Sequence, residues 1–495
     1  MLGTITLLRV VLGAAMDLMP QDAYYFLYAE HPALSYHDHP PLIGWLLWGA
    51  RALLGKTELA IRVTTLGVTA LTQLAVGWLA IRLYGRHRGG VALALLAVLP
   101  MCTVLSLVTT PDVPLMLAWC VALLGLEAAL FRDARTGWLV AGLGMGLAAL
   151  SKYTAIFLPA GLLLFLLLDS GQRRRLRSPG PWLSLALAAI LALPVLLWNL
   201  RHSGASFGFQ LRERTGALGR LDLDDVLGFL VTQGVSVLPV PLCGLLLWAG
   251  RGLWWPGLRS LDGRQRFLWC FFAPLFLTTL ALSPFLWVKL NWPMPAFVTG
   301  LLLLTPHLSQ PSSARIHLGA GLVIHALLAV QVLLYPFPVE SNDTWFGWAR
   351  VADEVERRHR EDPSRFVFST DSYKTTAELL FYTDLPEVYG VDVVDCPALH
   401  LDYVHGDLAS LTGRHALLVI SEASLEPSRR SEAALARVEL FFDEVLELEP
   451  VTLQHRGKPV RFVRFFDARG YRGPRAAAQQ DRVAAADPCR FAPTS

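Results

Sequence analysis

The chain has 495 residues, 54% of them hydrophobic and 17% charged, against roughly 25% charged in an ordinary soluble domain. Of its 83 charged residues, 45 fall in 340–495 and only 38 in the first 339. Two solvents are implied, and a purely soluble enzyme is excluded, because apolar stretches of membrane-spanning length recur too often to leave a water-facing surface. A net charge of +3 lacks the concentrated basic face that phosphate binding along a nucleic acid demands, which sets DNA and RNA aside.

Apolar runs near bilayer length predict spans at about 1–18, 58–81, 89–108, 113–131, 137–151, 154–168, 181–200, 226–249, 267–285, 293–306 and 317–337, eleven in all. The first carries Arg9 and could be read as a signal peptide, but a true first helix is preferred. With the amino terminus inside, the inner loops hold 14 Lys and Arg residues, among them Arg173, Arg174, Arg175 and Arg177, against 8 in the outer loops. That bias favours this orientation, and an odd number of spans then carries the polar tail to the outer face.

The first outer loop, 19–57, contains Asp22, Glu30, His31, Asp38 and His39, and later outer turns contain Asp112 and Lys152. Within it LIGWLLWGARALLG is too short and proline-led to span and is expected along the interface, where Trp45 and Trp48 favour headgroup depth. Such a loop suits a substrate that is half lipid and half polar. The tail alternates in pattern, with helices expected at 350–360 and 375–383 and strands at 366–370 and 415–421. The expected organisation is therefore a transmembrane domain over 1–338, a small α/β extracytoplasmic domain over 339–473 and a disordered end over 474–495. Cys102, Cys120, Cys243 and Cys270 read as small buried hydrophobes; Cys396 and Cys489, in the polar tail, leave room for one disulfide.

QDAYYFLYAEH…LSYHDHPPLIGWL (21–46), TTPDVPL (109–115), LSKYT (150–154), LLWNLRH (196–202), KLNWPMPAF (289–297) and STDSYKTTAELLFY (369–382) together resemble bacterial family 39 glycosyltransferases. These are GT-C membrane enzymes related to protein O-mannosyltransferases and to the lipid A aminoarabinose transferase. The resemblance runs from residue 1 to about 473. It implies a polytopic α-helical fold of about eleven transmembrane helices and inverting transfer of one sugar from a polyprenyl-phosphate carrier. The acceptor would be a lipid, glycan or protein at the outer face of a bacterial inner membrane. Such transfer needs a base for the acceptor proton, a cation for the leaving phosphate and exclusion of water.

The family usually has an Asp-Glu pair where this chain has Gln21-Asp22. The base is therefore assigned first to Asp22, with Asp38 and Asp112 as alternatives, and helix capping competes for both Asp22 and Asp112. Asp38-His39 matches an acidic-basic pair that precedes proline in relatives, so His39 is a candidate for the carrier phosphate, its charge depending on pH. Lys152 and Lys289 are further phosphate candidates against a background of interfacial snorkelling, and Tyr24 and Tyr25 are substrate-binding candidates. His31, His37, His39 and His202 beside carboxylates raise a divalent metal, but their spacings fit no standard motif, and the chemistry does not require a cofactor. Two rivals share the composition. A flippase for a lipid-linked saccharide should show internal repeats and broken helices, and a catalytically silent membrane scaffold is made thinkable by Gln21.

Overall fold

The computed structural model describes residues 2–213, 221–423, 425, 427–474 and 489, so most of the 474–495 end lies outside the described residues. The chain divides into two compact units. One gathers Met1–Val11, Ala33–Leu46 and Arg62–Leu328, the other Leu12–Pro32, Leu47–Ile61 and Ala329–Ser495. The segment carrying Asp22 thus packs with the tail, whereas composition alone groups it with the helices of 1–338.

The first unit is helical. Four helices are long and apolar enough to cross a membrane, Glu58–Tyr84, Asp112–Phe131, Gly263–Leu282 and Pro311–Leu334. Three bent pairs raise the number to seven if each is one span: Arg86–Ala97 with Pro100–Leu107 (59°), Pro179–Leu191 with Leu193–Arg201 (43°), and Leu223–Val237 with Pro239–Leu253 (115°). Other apolar helices, such as Leu2–Ala14, Thr136–Ala149 and Met294–Leu308, are shorter. Each of the eleven predicted runs holds a helix, and among the described residues four to seven of them meet a spanning length and composition.

Each break has a proline at the start of its second helix. Proline cannot donate to the preceding turn and disfavours helical geometry just before it. The run 226–249 is the sharpest departure from prediction: Leu238 adopts φ +72° and the two halves meet at 115°, so it is not one straight rod. The interfacial segment is a helix, Leu42–Leu54, with Trp48 and Leu53 exposed. At 13 residues it is about 20 Å long by the helical rise, short of the hydrocarbon thickness.

Small residues let the helices of this unit approach closely. A Cβ added to Gly125 would lie 2.3 Å from the Ala141 nitrogen, and one on Gly144 2.3 Å from the Ala122 nitrogen, so the hairpin of Asp112–Phe131 and Thr136–Ala149 admits nothing larger there. Charges inside the bundle are paired. Glu127, 1% exposed, meets Arg82 at 2.6 Å and Arg132 at 2.9 Å. Arg9 donates to the Thr103 hydroxyl and the Ala97 carbonyl, and this pairing explains how the first helix accommodates a cation.

The second unit holds a six-stranded sheet: β1 (Phe366–Ser369), β2 (Val388–Tyr389), β3 (Ala416–Glu422), β4 (Phe442–Glu447), β5 (Val451–His455) and β6 (Lys458–Tyr471). The order is β2-β1-β3-β6-β4, with β5 also on β6; β1 runs parallel to β2 and β3, and β6 antiparallel to its neighbours. Helices Trp348–Glu361 and Lys374–Tyr382 lie where the sequence pattern places them. Trp348, Val351, Val355, Leu379, Leu417 and Phe465 share one core. Cys396 and Cys489 are joined as a disulfide.

Candidate functional site

In the first unit the segment after Ser35 is fixed by local geometry. Tyr36 donates its backbone N–H to the His39 carbonyl, and the Gln210 amide donates to the Asp38 carbonyl at 2.7 Å. Leu42 then donates to the Leu150 carbonyl at 2.8 Å, which ties the Pro40-Pro41 exit to the turn just before Lys152. Asp38 and His39 are 4% and 8% exposed, their side chains 3.9 Å apart. Tyr153 sits within electrostatic reach of Asp38, and its hydroxyl bonds that of Ser206 at 2.6 Å.

Asp112 opens its helix, so capping was the competing explanation, but its carboxylate is spent elsewhere. Both oxygens accept from the Lys152 ammonium at 2.9 Å, and one accepts the Asn291 amide. Asp112 is 1% and Lys152 6% exposed. Lys152 therefore does not snorkel; it forms a buried ion pair, which is costly unless its geometry is good and is by default a mark of function within a membrane bundle. Sequence reading chose each member singly and missed Asn291, although it lies in the KLNWPMPAF motif. From that loop Asn291 reaches Asp112, while Lys289, two residues earlier, is only half-buried.

In the second unit Asp22 is fully buried and accepts the Met19 N–H at 3.0 Å, so the capping role exists, through one of its two oxygens. Gln21 donates its amide to Asp343, which also pairs with Lys374 at 2.9 Å; an acid at position 21 would oppose that carboxylate, a local reason for the departure from the family pattern. Tyr24 and Tyr25, expected to touch substrate, lie in an aromatic cluster with Tyr28 and Tyr373. The Tyr24 hydroxyl accepts the His400 N–H.

The same unit contains an acid that received no role from sequence. Glu378, in STDSYKTTAELLFY, is 1% exposed and neither carboxylate oxygen has a hydrogen-bond partner among the described residues. Burial first and the charge of Asp22 second push its pKa well above the ordinary carboxylate range, with Arg461 opposing them. Burial in turn lowers Arg461 to about 10, so it remains charged near neutrality while stacking 3.6 Å over Trp348. Its place as the single acid of the helix Lys374–Tyr382, flanked by Ala377 and Leu379, was the available signal.

Two of the four histidines raised as metal ligands pack on aromatic rings: His202 stacks on Trp198 at 4.1 Å and His37 packs against Phe209. Among the described residues no three His, Cys, Asp or Glu side chains group so as to hold a metal ion.

Residues 38–198 match the family described as dolichyl-phosphate-mannose-protein mannosyltransferase. Lipid A galacturonosyltransferase RgtD of Rhizobium johnstonii is 28% identical over 393 residues, covering 76% of this chain and 80% of that protein. Lipopolysaccharide core galacturonosyltransferase RgtB of the same organism is 26% identical over 193 residues, 38% of either chain. Among solved structures, ArnT from Cupriavidus metallidurans bound to undecaprenyl phosphate superposes with a TM-score of 0.59 at 16% identity, over 93% of this chain and 96% of that one. At that identity the likeness is one of fold, a multi-pass helical membrane architecture.

Proposed function

We propose that this chain, a relative of the GT-C membrane glycosyltransferases, moves a single sugar with inversion from a polyprenyl-phosphate carrier to an acceptor hydroxyl on the periplasmic face of the inner membrane. The observation that carries the reading is the buried Asp112–Lys152 pair with Asn291, a cation held in fixed geometry at the end of the helix Asp112–Phe131. The acceptor oxygen bonds to the anomeric carbon as the bond from that carbon to the carrier phosphate breaks, and the acceptor proton passes to a carboxylate. Lys152 and His39 meet the charge left on the phosphate. Asp112 is a positioning residue for Lys152, which leaves Asp22 and Asp38 as the two candidates for the base. The relative named as a lipid A galacturonosyltransferase makes lipid A the first acceptor and a hexuronosyl group the first sugar to test.

Mass spectrometry of envelope lipids and glycans from cells expressing wild type, Asp22→Asn, Asp38→Asn or nothing, at matched protein levels, tests this. A sugar-mass addition is expected with wild type, is absent without the protein, falls about 100-fold or more on loss of the base and is retained in the other carboxylate variant. No addition in an assay supplied with donor and acceptor sinks the reading. It favours the flippase, whose broken helices this fold also has, since transport alone adds no covalent sugar.

The Cys396–Cys489 disulfide supports a periplasmic second unit, because disulfides persist in oxidising compartments. In intact cells both thiols should resist a maleimide gel-shift reagent until a reductant is added. Reaction without reductant would place that unit on the cytoplasmic side.

A further inference from the structure

In the second unit, an open cavity of about 210 Å³ lies at the carboxyl ends of the parallel strands β1 and β3. After β1 the chain turns through a helix toward β2, and after β3 it leaves for helix Arg429–Phe441 on the other side of the order. Such a divergence opens a crevice, and ligands of α/β sheets gather there.

The walls are polar. Thr370 and Ser372, 5% and 6% exposed, line the cavity with their hydroxyl-bearing side chains. Asp371 and Glu422 also face the space, each partly engaged: Asp371 accepts from Thr375, and Glu422 from the Ser428 N–H and hydroxyl. Lys374 and Arg430 stand beside them, Lys374 already paired with Asp343 at 2.9 Å, Arg430 exposed to water.

The geometry points to a saccharide site. The two carboxylates balance the two cations, so the lining does not select a phosphate, and the β1 loop TDSYK has no glycine to let a backbone approach a pyrophosphate. Hydroxyls and carboxylates interleaved in a crevice of ring size offer both donors and acceptors, the complement of a sugar ring. The site is independent of the transfer chemistry; it would tether a glycan to this unit.

Saturation-transfer NMR on the full chain in detergent, with methyl galactoside, galacturonate, glucosamine and inorganic phosphate as separate probes, tests the site. At least one sugar should give signal with wild type, and Ser372→Ala should weaken its binding about threefold to tenfold, the worth of one hydrogen bond. Exposed Arg430→Glu keeps the fold and should weaken galacturonate most if the ring is acidic; a loss confined to Ser372→Ala identifies a neutral ring. The inference is overturned by three results: no sugar signal with wild type, sugar signals unchanged in both variants, or a phosphate signal that the variants abolish in place of a sugar signal.

Discussion

Asp112→Ala and Lys152→Ala should each destabilise the protein by about 3–5 kcal/mol, because each leaves a buried charge without its partner. The double variant Asp112→Leu/Lys152→Met should recover most of that loss, since a buried pair replaced by apolar groups of similar volume is often neutral. All three should be inactive. The single variants lose the positioned cation or its anchor, and the double variant restores packing but supplies no charge to the leaving phosphate. If Asp112 merely capped its helix, Asp112→Ala would cost only about 1 kcal/mol and leave transfer intact. Apparent melting in detergent, read beside the sugar-mass assay, separates these outcomes. An active double variant would remove Lys152 from the chemistry, and a double variant no more stable than the singles would show that the buried pair is not the source of the cost.

The pairing of Asp112 with Lys152 shows where sequence reading stops. Each residue is conspicuous alone, a charge where an apolar segment begins, and spacing says nothing of a partner 40 positions away. The ion pair arises only when Asp112–Phe131 and Thr136–Ala149 close on small residues such as Gly125 and Gly144. Local events were more readable. The strands at 366–370 and 415–421 announce themselves as buried apolar runs between polar stretches, and the helix cap at Asp22 follows from its place in the first turn. The bends are intermediate: Pro239 is visible in the run 226–249, but the 115° angle depends on Leu238 adopting an unusual backbone conformation, which no pattern of hydropathy encodes. β5, VTLQH, alternates apolar and polar residues and was legible as a strand, whereas β4, FDEVLE, breaks the alternation with adjacent acids and adjacent apolar residues and becomes a strand only by pairing with β6.

Glu378→Gln should make the protein more stable at neutral and alkaline pH, with the gain vanishing in acid. A carboxyl whose native pKa lies above its unfolded value near 4.5 binds more protons when folded, so its contribution is fully present below that value and is lost as pH rises through the native pKa. The isosteric amide carries no charge at any pH and removes this slope. The advantage of the variant should therefore grow from about pH 4.5 upward, read as the difference in apparent melting temperature between the two proteins at several pH values. Asp22→Asn should act in the same direction on wild-type Glu378, more weakly, because the charge of Asp22 is the second cause of the shift and burial the first. Combined with Glu378→Gln, Asp22→Asn should add no further flattening, since the group it acts upon no longer titrates. A Gln variant that loses stability as pH rises would mean that Glu378 is ionised in the native protein and held by Arg461, in which case the acid is part of a buried salt bridge and Arg461→Met should destabilise it most at high pH.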